Sequence, residues 1–275
     1  VPELPEVETI ARDLHDAVAG AEITGVRVFR PDVLRECTAR TLAARTAGTS
    51  MVRWWRRAKH AVADLSNGER IVVSPRFTGA VLIEPGPWTR GRHDYTVLVF
   101  ALRDGRSMRY RDVRRLGTVA LMAPARFAAW EAAIGPEPLD AAFTAAAFAA
   151  RVAAARRAVT TVLMDQRRVA GIGNIYANEA LWRSRIRPHR RADSLTRAEL
   201  RRLHRECVAV LHAAVQQRGT SFRDYQDPYG GRGGFLGLAK VYARHGEPCL
   251  RCGTTLRSTH ALENRITIWC PTCQR

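Results

Sequence analysis

Residues 135–140 read GPEPLD, and the chain changes character on either side of them. Two prolines in six positions remove backbone donors and favour an extended linker over a helix or strand. Upstream, from about residue 22 to 125, the runs EITGVRVF (22–29), RIVVS (70–74), AVLIE (80–84), YTVLVFAL (95–102) and TVALMA (118–123) are short and rich in Val, Ile and Thr. Turn signals such as SNGE (66–69) and RDGR (103–106) separate such runs, which predicts strands. Residues 3–19 differ: Val7, Ile10, Leu14 and Val18 recur at helical spacing. The upstream part is therefore expected to be a β-sandwich or barrel with an N-terminal helix.

Downstream the pattern turns helical over 141–165, 174–185 and 196–217. Thr196 and Glu199 form a capping-box signature at the start of the last helix, and Gly219 supplies its stop. The glycine-rich QDPYGGRGGFLG (226–237) suits neither element and reads as a mobile loop. From residue 240 the tail holds four of the six cysteines. Cys249 and Cys252, then Cys270 and Cys273, give two C-x2-C knuckles 17 residues apart, the spacing of a tetrahedral thiolate site for one structural zinc ion. Four thiolates leave no open coordination position, so a catalytic zinc is not expected. Cys37 and Cys207 stand alone and are expected to be buried. Between the knuckles, ENRITIW (263–269) presents Arg265 near a hairpin that would suit DNA.

The sequence has 275 residues, enough for two domains, and 46% are hydrophobic, as in ordinary globular proteins. Its charge is extreme: 44 Lys+Arg against 26 Asp+Glu, a net +18. Such an excess points to a polyanion, because basic groups that displace condensed counterions add affinity for any nucleic acid; a merely highly charged soluble surface is the alternative. No apolar run is long enough to cross a membrane; the alanine-rich 141–155 is broken by Arg151. The acidic start lacks the apolar core of a signal peptide, so a cytoplasmic protein with reduced or metal-bound cysteines is expected. All but two of the basic residues are Arg, the exceptions being Lys59 and Lys240. An amine can lose its proton where a guanidinium cannot, so each lysine is a candidate for chemistry, with chance survival as the other reading.

Two further motifs remain open to two readings each. In VAGIGNIYANEALW (169–182), Gly171 and Gly173 make a tight turn and Asn174 can cap the next helix, where backbone N–H groups would suit a phosphate. A plain helix–helix turn would look the same. In SPRFTG (74–79) and RYRDVRRLG (109–117), Phe77 and Leu116 are either core residues or apolar wedges for a base stack, with Arg114 filling the space left behind.

Taken together, PELPEVET (2–9), RRAK (56–59), RYRDVRRLG, GPEPL, GIGNIYANEALW, GEPC (246–249) and the terminal cysteines resemble, in order and over nearly the whole chain, the formamidopyrimidine-DNA glycosylases and the related endonuclease VIII group. The resemblance implies an α+β multidomain fold: an N-terminal β-sandwich with an N-terminal helix (1–134), a helical helix–two-turn–helix domain with a lesion-capping loop (141–236), and a four-cysteine zinc finger hairpin (237–275). It implies a bifunctional glycosylase and AP lyase acting on double-stranded DNA that contains an oxidised base or abasic site. Pro2 would be the nucleophile that forms a Schiff base at C1′, Glu3 the general acid/base, Glu6 its support, and Lys59 a contact to the lesion phosphate and C1′ region. Asn174 and Arg265 would hold phosphates flanking the extruded nucleotide, His93 and Arg114 would contact DNA, and Arg114 would read the orphaned base, expected to be cytosine.

The PELPEV start and a loop over 222–235 of matching length resemble the branch acting on oxidised purines, 8-oxoguanine and formamidopyrimidines. The sequence departs from the family at the wedge, here Phe77 with Leu116 where Met with Phe is common. Thr160 stands where a lysine is frequent, with Arg156 and Arg157 supplying charge nearby, and the zinc hairpin is about one residue longer. Rival expectations are the same chemistry on oxidised pyrimidines or hydantoins, and a catalytically silent binder of damaged DNA. A monomer associated with the nucleoid of a bacterial cytoplasm is expected. Val1 is expected to mark a non-AUG initiator position, with the mature protein beginning at Pro2.

Overall fold

The computed structural model describes residues 2–89, 91, 95–221 and 225–275. The chain forms two compact units, Val1–Ala132 with Arg218–Gly233 and Ala133–Gln217 with Gly234–Arg275.

In the first unit, α1 (Leu4–Val18) is amphipathic, and the residues that gave it away in sequence, Val7, Ile10, Leu14 and Val18, are fully buried. The strands and helices that follow are β1 (Ile23–Val28), β2 (Leu34–Arg35), α2 (Ala39–Thr46), β3 (Met51–Arg57), β4 (His60–Leu65), β5 (Arg70–Ser74), β6 (Gly79–Glu84), β7 (Thr96–Leu102), β8 (Ser107–Asp112), β9 (Thr118–Met122) and α3 (Pro124–Ala132). They build two sheets, β1-β7-β8-β6 and β2-β9-β5-β4-β3. All pairings are antiparallel except the short β2–β9.

Alternation decides which side chains meet. Ala61, Ala63, Ile71, Val73, Val119 and Leu121 of one sheet share a core with Val81, Leu98, Phe100, Met108 and Tyr110 of the other and with α1. Their neighbours on the opposite face, Val62, Val72, Ala120 and Met122, pack against Phe127 of α3. The sandwich with an N-terminal helix is thus present, enlarged by elements the sequence reading did not separate. The segment 218–221 and 225–233 belongs to this unit because Arg218 pairs with Asp13 and Asp227, and Tyr225 joins the core.

The second unit contains α4 (Ala145–Ala153), α5 (Val159–Met164), α6 (Asn174–Arg183), α7 (Arg197–Gln216) and the hairpin strands β10 (Arg257–Thr259) and β11 (Thr267–Trp269). The expected capping box holds α7: the Thr196 hydroxyl accepts the Glu199 N–H at 3.2 Å, and Glu199 accepts the Thr196 N–H at 2.8 Å. The single helix expected over 141–165 is two helices. Between them the backbone pairs elsewhere, Val159 N–H donating to Arg190 and Ala192 N–H to Arg157, so tertiary bonds replace helical ones. The strand-like run 263–269 is a strand only at its end, because Glu263 and Asn264 take left-handed φ values of 57° and 51° in the turn before it. Among the described residues no helix is long and apolar enough to cross a membrane.

Candidate functional site

The start of α1 concentrates carboxylates on helix N–H groups. Glu3 is the N-cap and only 3% exposed; its side chain accepts the Glu6 N–H, and Glu6 Oε2 accepts the Glu3 N–H at 2.8 Å. This reciprocal box satisfies donors that a helix start leaves open, at the positive end of its dipole. Pro5 loses nothing in the first turn, where its N–H would have had no partner. Glu6 reaches further: Oε1 accepts the Thr220 N–H at 2.6 Å, and the Tyr225 hydroxyl donates to the Glu6 carbonyl at 3.2 Å. The structure therefore brings Glu3 and Glu6 together beside buried Pro2 and ties them to the 218–233 segment. Val1 lies outside the described residues.

Lys59 occupies the two-residue turn between β3 and β4, where Arg57 pairs with His60 and Ala58 adopts a φ of 52°. The turn is held to α1 by Arg56, whose Nε donates to Glu8 at 2.8 Å. Burial pushes the Glu8 carboxyl up, but the Arg56 and Arg12 guanidiniums outweigh it and hold the group below its ordinary value. Next to Lys59, burial and then the charges of Arg76, Lys59 and Arg57 bring His60 down to about 4, against one opposing backbone hydrogen bond. His60, edge-on to Trp130 at 5.1 Å, is thus neutral near pH 7.

Phe77 and Leu116 are not core residues. They are 41% and 42% exposed, and the Arg114 guanidinium lies over the Phe77 ring at 4.9 Å. Apolar groups standing in water beside a stacked cation suit insertion into a base stack far better than packing. His93 lies outside the described residues.

In the second unit, Gly173, not Asn174, is the N-cap of α6. Asn174 is the first helical residue, and its Nδ2 donates to the Ile266 carbonyl at 2.9 Å. That bond fixes the residue next to Arg265, which is exposed in the hairpin turn. The hairpin is pinned again by Asn178, fully buried, whose Oδ1 accepts the Ile268 N–H at 2.6 Å. Arg156 is exposed in the break between α4 and α5, not on a helix. Thr160 is fully buried on α5.

The sulfurs of Cys249, Cys252, Cys270 and Cys273 all lie within 4.8 Å of one another, so the cluster can hold a metal ion. Four thiolates on a tetrahedral zinc would sit about 3.8 Å apart, close to this spread. Backbone and indole donors already face the sulfurs, with Cys273 N–H to Cys270 at 3.3 Å and Trp182 Nε1 to Cys249 at 3.4 Å. Hydrogen bonds, first from the Thr254 hydroxyl, lower the Cys252 thiol to about 6. Burial instead pushes the Cys207 thiol far up, and Cys37 is half-buried, not buried as expected.

Two buried carboxylates escaped the sequence reading. Glu179, fully buried, accepts the backbone N–H groups of Lys240, Val241 and Tyr242 at 2.8–3.0 Å, fixing the entry to the cysteine tail. This contact uses the backbone of Lys240, not its amine. Asp112, 1% exposed, lies under the Arg114 loop. The one trace in the sequence is that each is the only acid of its motif, Asp112 in RYRDVRRLG and Glu179 in VAGIGNIYANEALW.

Comparisons with known proteins agree on one family. The model of the formamidopyrimidine-DNA glycosylase N-terminal domain matches residues 1–119, and that of the formamidopyrimidine-DNA glycosylase H2TH domain matches residues 134–226. The formamidopyrimidine-DNA glycosylase of Geobacillus kaustophilus is 40% identical over 281 residues, and that of a Roseiflexus species 39% identical over 278, with 100% of both chains covered in each case. A mutant Lactococcus lactis FPG in complex with a Fapy-dG containing DNA is similar in structure, with a TM-score of 0.91, 28% identity and 100% of each chain covered. Lactococcus lactis Fpg with an abasic site containing DNA gives 0.91 at 27% identity over 99% of each chain.

Proposed function

The chain belongs to the formamidopyrimidine-DNA glycosylase family, and on that premise we propose how its residues carry out base-excision repair as a DNA glycosylase and AP lyase that removes oxidised purines. The observation that carries the reading is the start of α1, where Glu3 and Glu6 are locked in a capping box beside Pro2 and bound to Thr220. This chemistry requires a free Pro2 nitrogen, a secondary amine, and so the absence of any residue joined to it. An α-amino group has an ordinary pKa of about 8, which leaves a useful neutral fraction at physiological pH without special tuning. Attack of that nitrogen on C1′ displaces the damaged base. The C1′–O4′ bond then opens, O4′ taking up a proton, and the nitrogen, having lost the one proton a secondary amine carries, is left as an iminium at C1′. The iminium acidifies the C2′ hydrogen, whose loss expels the 3′-phosphate; a second elimination expels the 5′-phosphate.

Glu3 is the general acid/base beside this nitrogen. Glu6, with both oxygens engaged by backbone donors, is an acceptor that fixes the position of Glu3. Lys59 meets the lesion phosphate from the tip of its turn. Phe77, Leu116 and Arg114 enter the duplex, and Arg114 reads the orphaned cytosine. His93 and Arg156 contact DNA, and Asn174 and Arg265 bind its phosphates. Extrusion of a base costs a few kcal/mol, which such contacts offset. The four cysteines hold zinc, which braces the hairpin and supplies no chemistry. The excess of 18 positive charges favours duplex DNA of any sequence and so an association with the nucleoid; one clamp around one lesion favours a monomer.

Duplexes that each carry a single defined lesion test the reading. Rapid excision of 8-oxoguanine and formamidopyrimidines, with strand cleavage, is expected. A strong preference for thymine glycol over 8-oxoguanine would transfer the chain to oxidised pyrimidines, and binding without cleavage of any lesion would make it a silent binder.

A further inference from the structure

The exposed Phe77 and the exposed pair Arg114 and Leu116 stand on two loops, one leaving β5 and one leaving β8. A buried carboxylate joins them. Asp112 Oδ1 accepts the Thr78 hydroxyl at 2.5 Å and the Arg114 backbone N–H at 3.2 Å. Its Oδ2 accepts the Gly117 N–H at 2.8 Å and the Tyr110 hydroxyl at 3.3 Å. The Thr78 hydroxyl closes the link by accepting the same Arg114 N–H at 3.0 Å. Burial, and then the charge of Asp112, pushes the Tyr110 phenol far up, so it remains a donor.

Three features make this more than a loop bond. Among the described residues no cation pairs with Asp112, so four hydrogen bonds alone support a charge that is 1% exposed. Both loops also hold a side-chain-bearing residue in the left-handed region, Phe77 at φ 43° and Arg115 at φ 51°. Such conformations persist where the surroundings over-determine them. Lastly, the space around the Tyr110 hydroxyl is kept by glycine: a Cβ on Gly117 would lie 1.8 Å from it, and one on Gly79 would lie 2.4 Å from it.

We infer that Asp112 is a positioning residue for base extrusion, fixing Phe77, Arg114 and Leu116 as a single rigid wedge. The inference rests on the reading of those three side chains as the wedge in the proposed function. A carboxylate suits the task because it is acceptor-only at both oxygens. The amide of Asn would turn a donor NH2 toward two of the four donors. A loosened wedge slows the step that opens the duplex and leaves the chemistry at Pro2 as it was.

The experiment compares wild type with Asp112→Asn and Thr78→Val on three duplexes. One carries 8-oxoguanine opposite cytosine, one carries 8-oxoguanine opposite an abasic analogue, and one carries a preformed abasic site. The first presents an orphaned base to be held; the second presents none. Single-turnover excision opposite cytosine is expected to fall about 10- to 100-fold for Asp112→Asn and about 3- to 10-fold for Thr78→Val, as for a lost buried hydrogen bond to a charge. Excision opposite the abasic analogue and borohydride trapping on the preformed site are expected to stay within about 3-fold, since neither depends on the same wedge contacts. If Asp112→Asn does not fold, Thr78→Val, which keeps the carboxylate, carries the test. Equal losses on all three duplexes, or none on any, overturn the inference. Wild type that traps on no duplex removes the underlying reading, and this one with it.

Discussion

Replacing Gly219 by alanine probes the link between the 218–233 segment and the start of α1. Gly219 has φ 83°, and an added Cβ would lie 2.8 Å from both Cγ and Oε1 of Glu6. Glu6 cannot simply turn away, because its two oxygens hold the Glu3 and Thr220 N–H groups at 2.8 and 2.6 Å. Left-handed backbone costs alanine about 1–2 kcal/mol. Losing the charge-assisted Thr220 bond adds about 1.5–3 kcal/mol, so a loss of roughly 3–4 kcal/mol is expected where relaxation is partial. Two assays read it. Hydrogen exchange at the Thr220 amide should accelerate by roughly 100- to 1000-fold, following from about 1.4 kcal/mol per tenfold change. Single-turnover excision should slow together with it, because Glu6 also fixes the N–H of Glu3. Unchanged exchange and unchanged rate in Gly219→Ala would refute the argument that Glu6 couples the segment to the chain start.

Removing the metal with a chelator, or replacing Cys252 by serine, should abolish bound zinc, expose the hairpin to protease and weaken DNA binding; metal analysis beside limited proteolysis checks this. Replacing Arg265 by alanine should weaken binding to all sequences alike and lower the slope of log K against log salt by about 1, as measured by fluorescence anisotropy across a salt series. His60 gives a pH signature of definite sign. Its folded value of about 4 lies below the unfolded 6.5, so its stabilisation is present above pH 6.5 and lost as pH falls towards 4. The loss is about 3 kcal/mol at most, and denaturant unfolding of wild type and His60→Gln at a series of pH values should show this component only in wild type.

Where sequence and structure agree, the signal was local. The spacing of Val7, Ile10, Leu14 and Val18, the Thr196–Glu199 box and the cysteine knuckles each report short-range geometry that needs no tertiary context. Where tertiary contacts decide, the sequence was silent. The break after α4 comes from backbone bonds to residues 190–193, more than thirty positions away. Strand β3, written MVRWWRR, hides its alternation behind a bulge between Met51 and Arg53 and behind arginines that pair with Asp64 and Glu8. Strand β8, SMRYRD, did carry a period of two in Met108 and Tyr110, passed over for its charged partners.

The site divides in the same way. Lys59 stood out because it is one of only two lysines, and it occupies a tight turn joined to α1. Asp112, Asn178 and Glu179 were missed because their function is to accept backbone donors, and no residue type announces which backbone it will meet. The exposure of Phe77 and Leu116 removes the core reading of both, which residue type alone leaves open.

The central claim is that the Pro2 nitrogen is the nucleophile. Borohydride reduction during reaction with 8-oxoguanine duplex, followed by protease digestion and mass spectrometry of the DNA-linked peptide, tests it most directly. The expected product is a peptide that begins at Pro2 and carries the sugar remnant on its nitrogen, with no trapping by Pro2→Gly above a small residue. A covalent adduct on Lys59 or any other side chain, or active protein that retains Val1 at its start, would contradict the account.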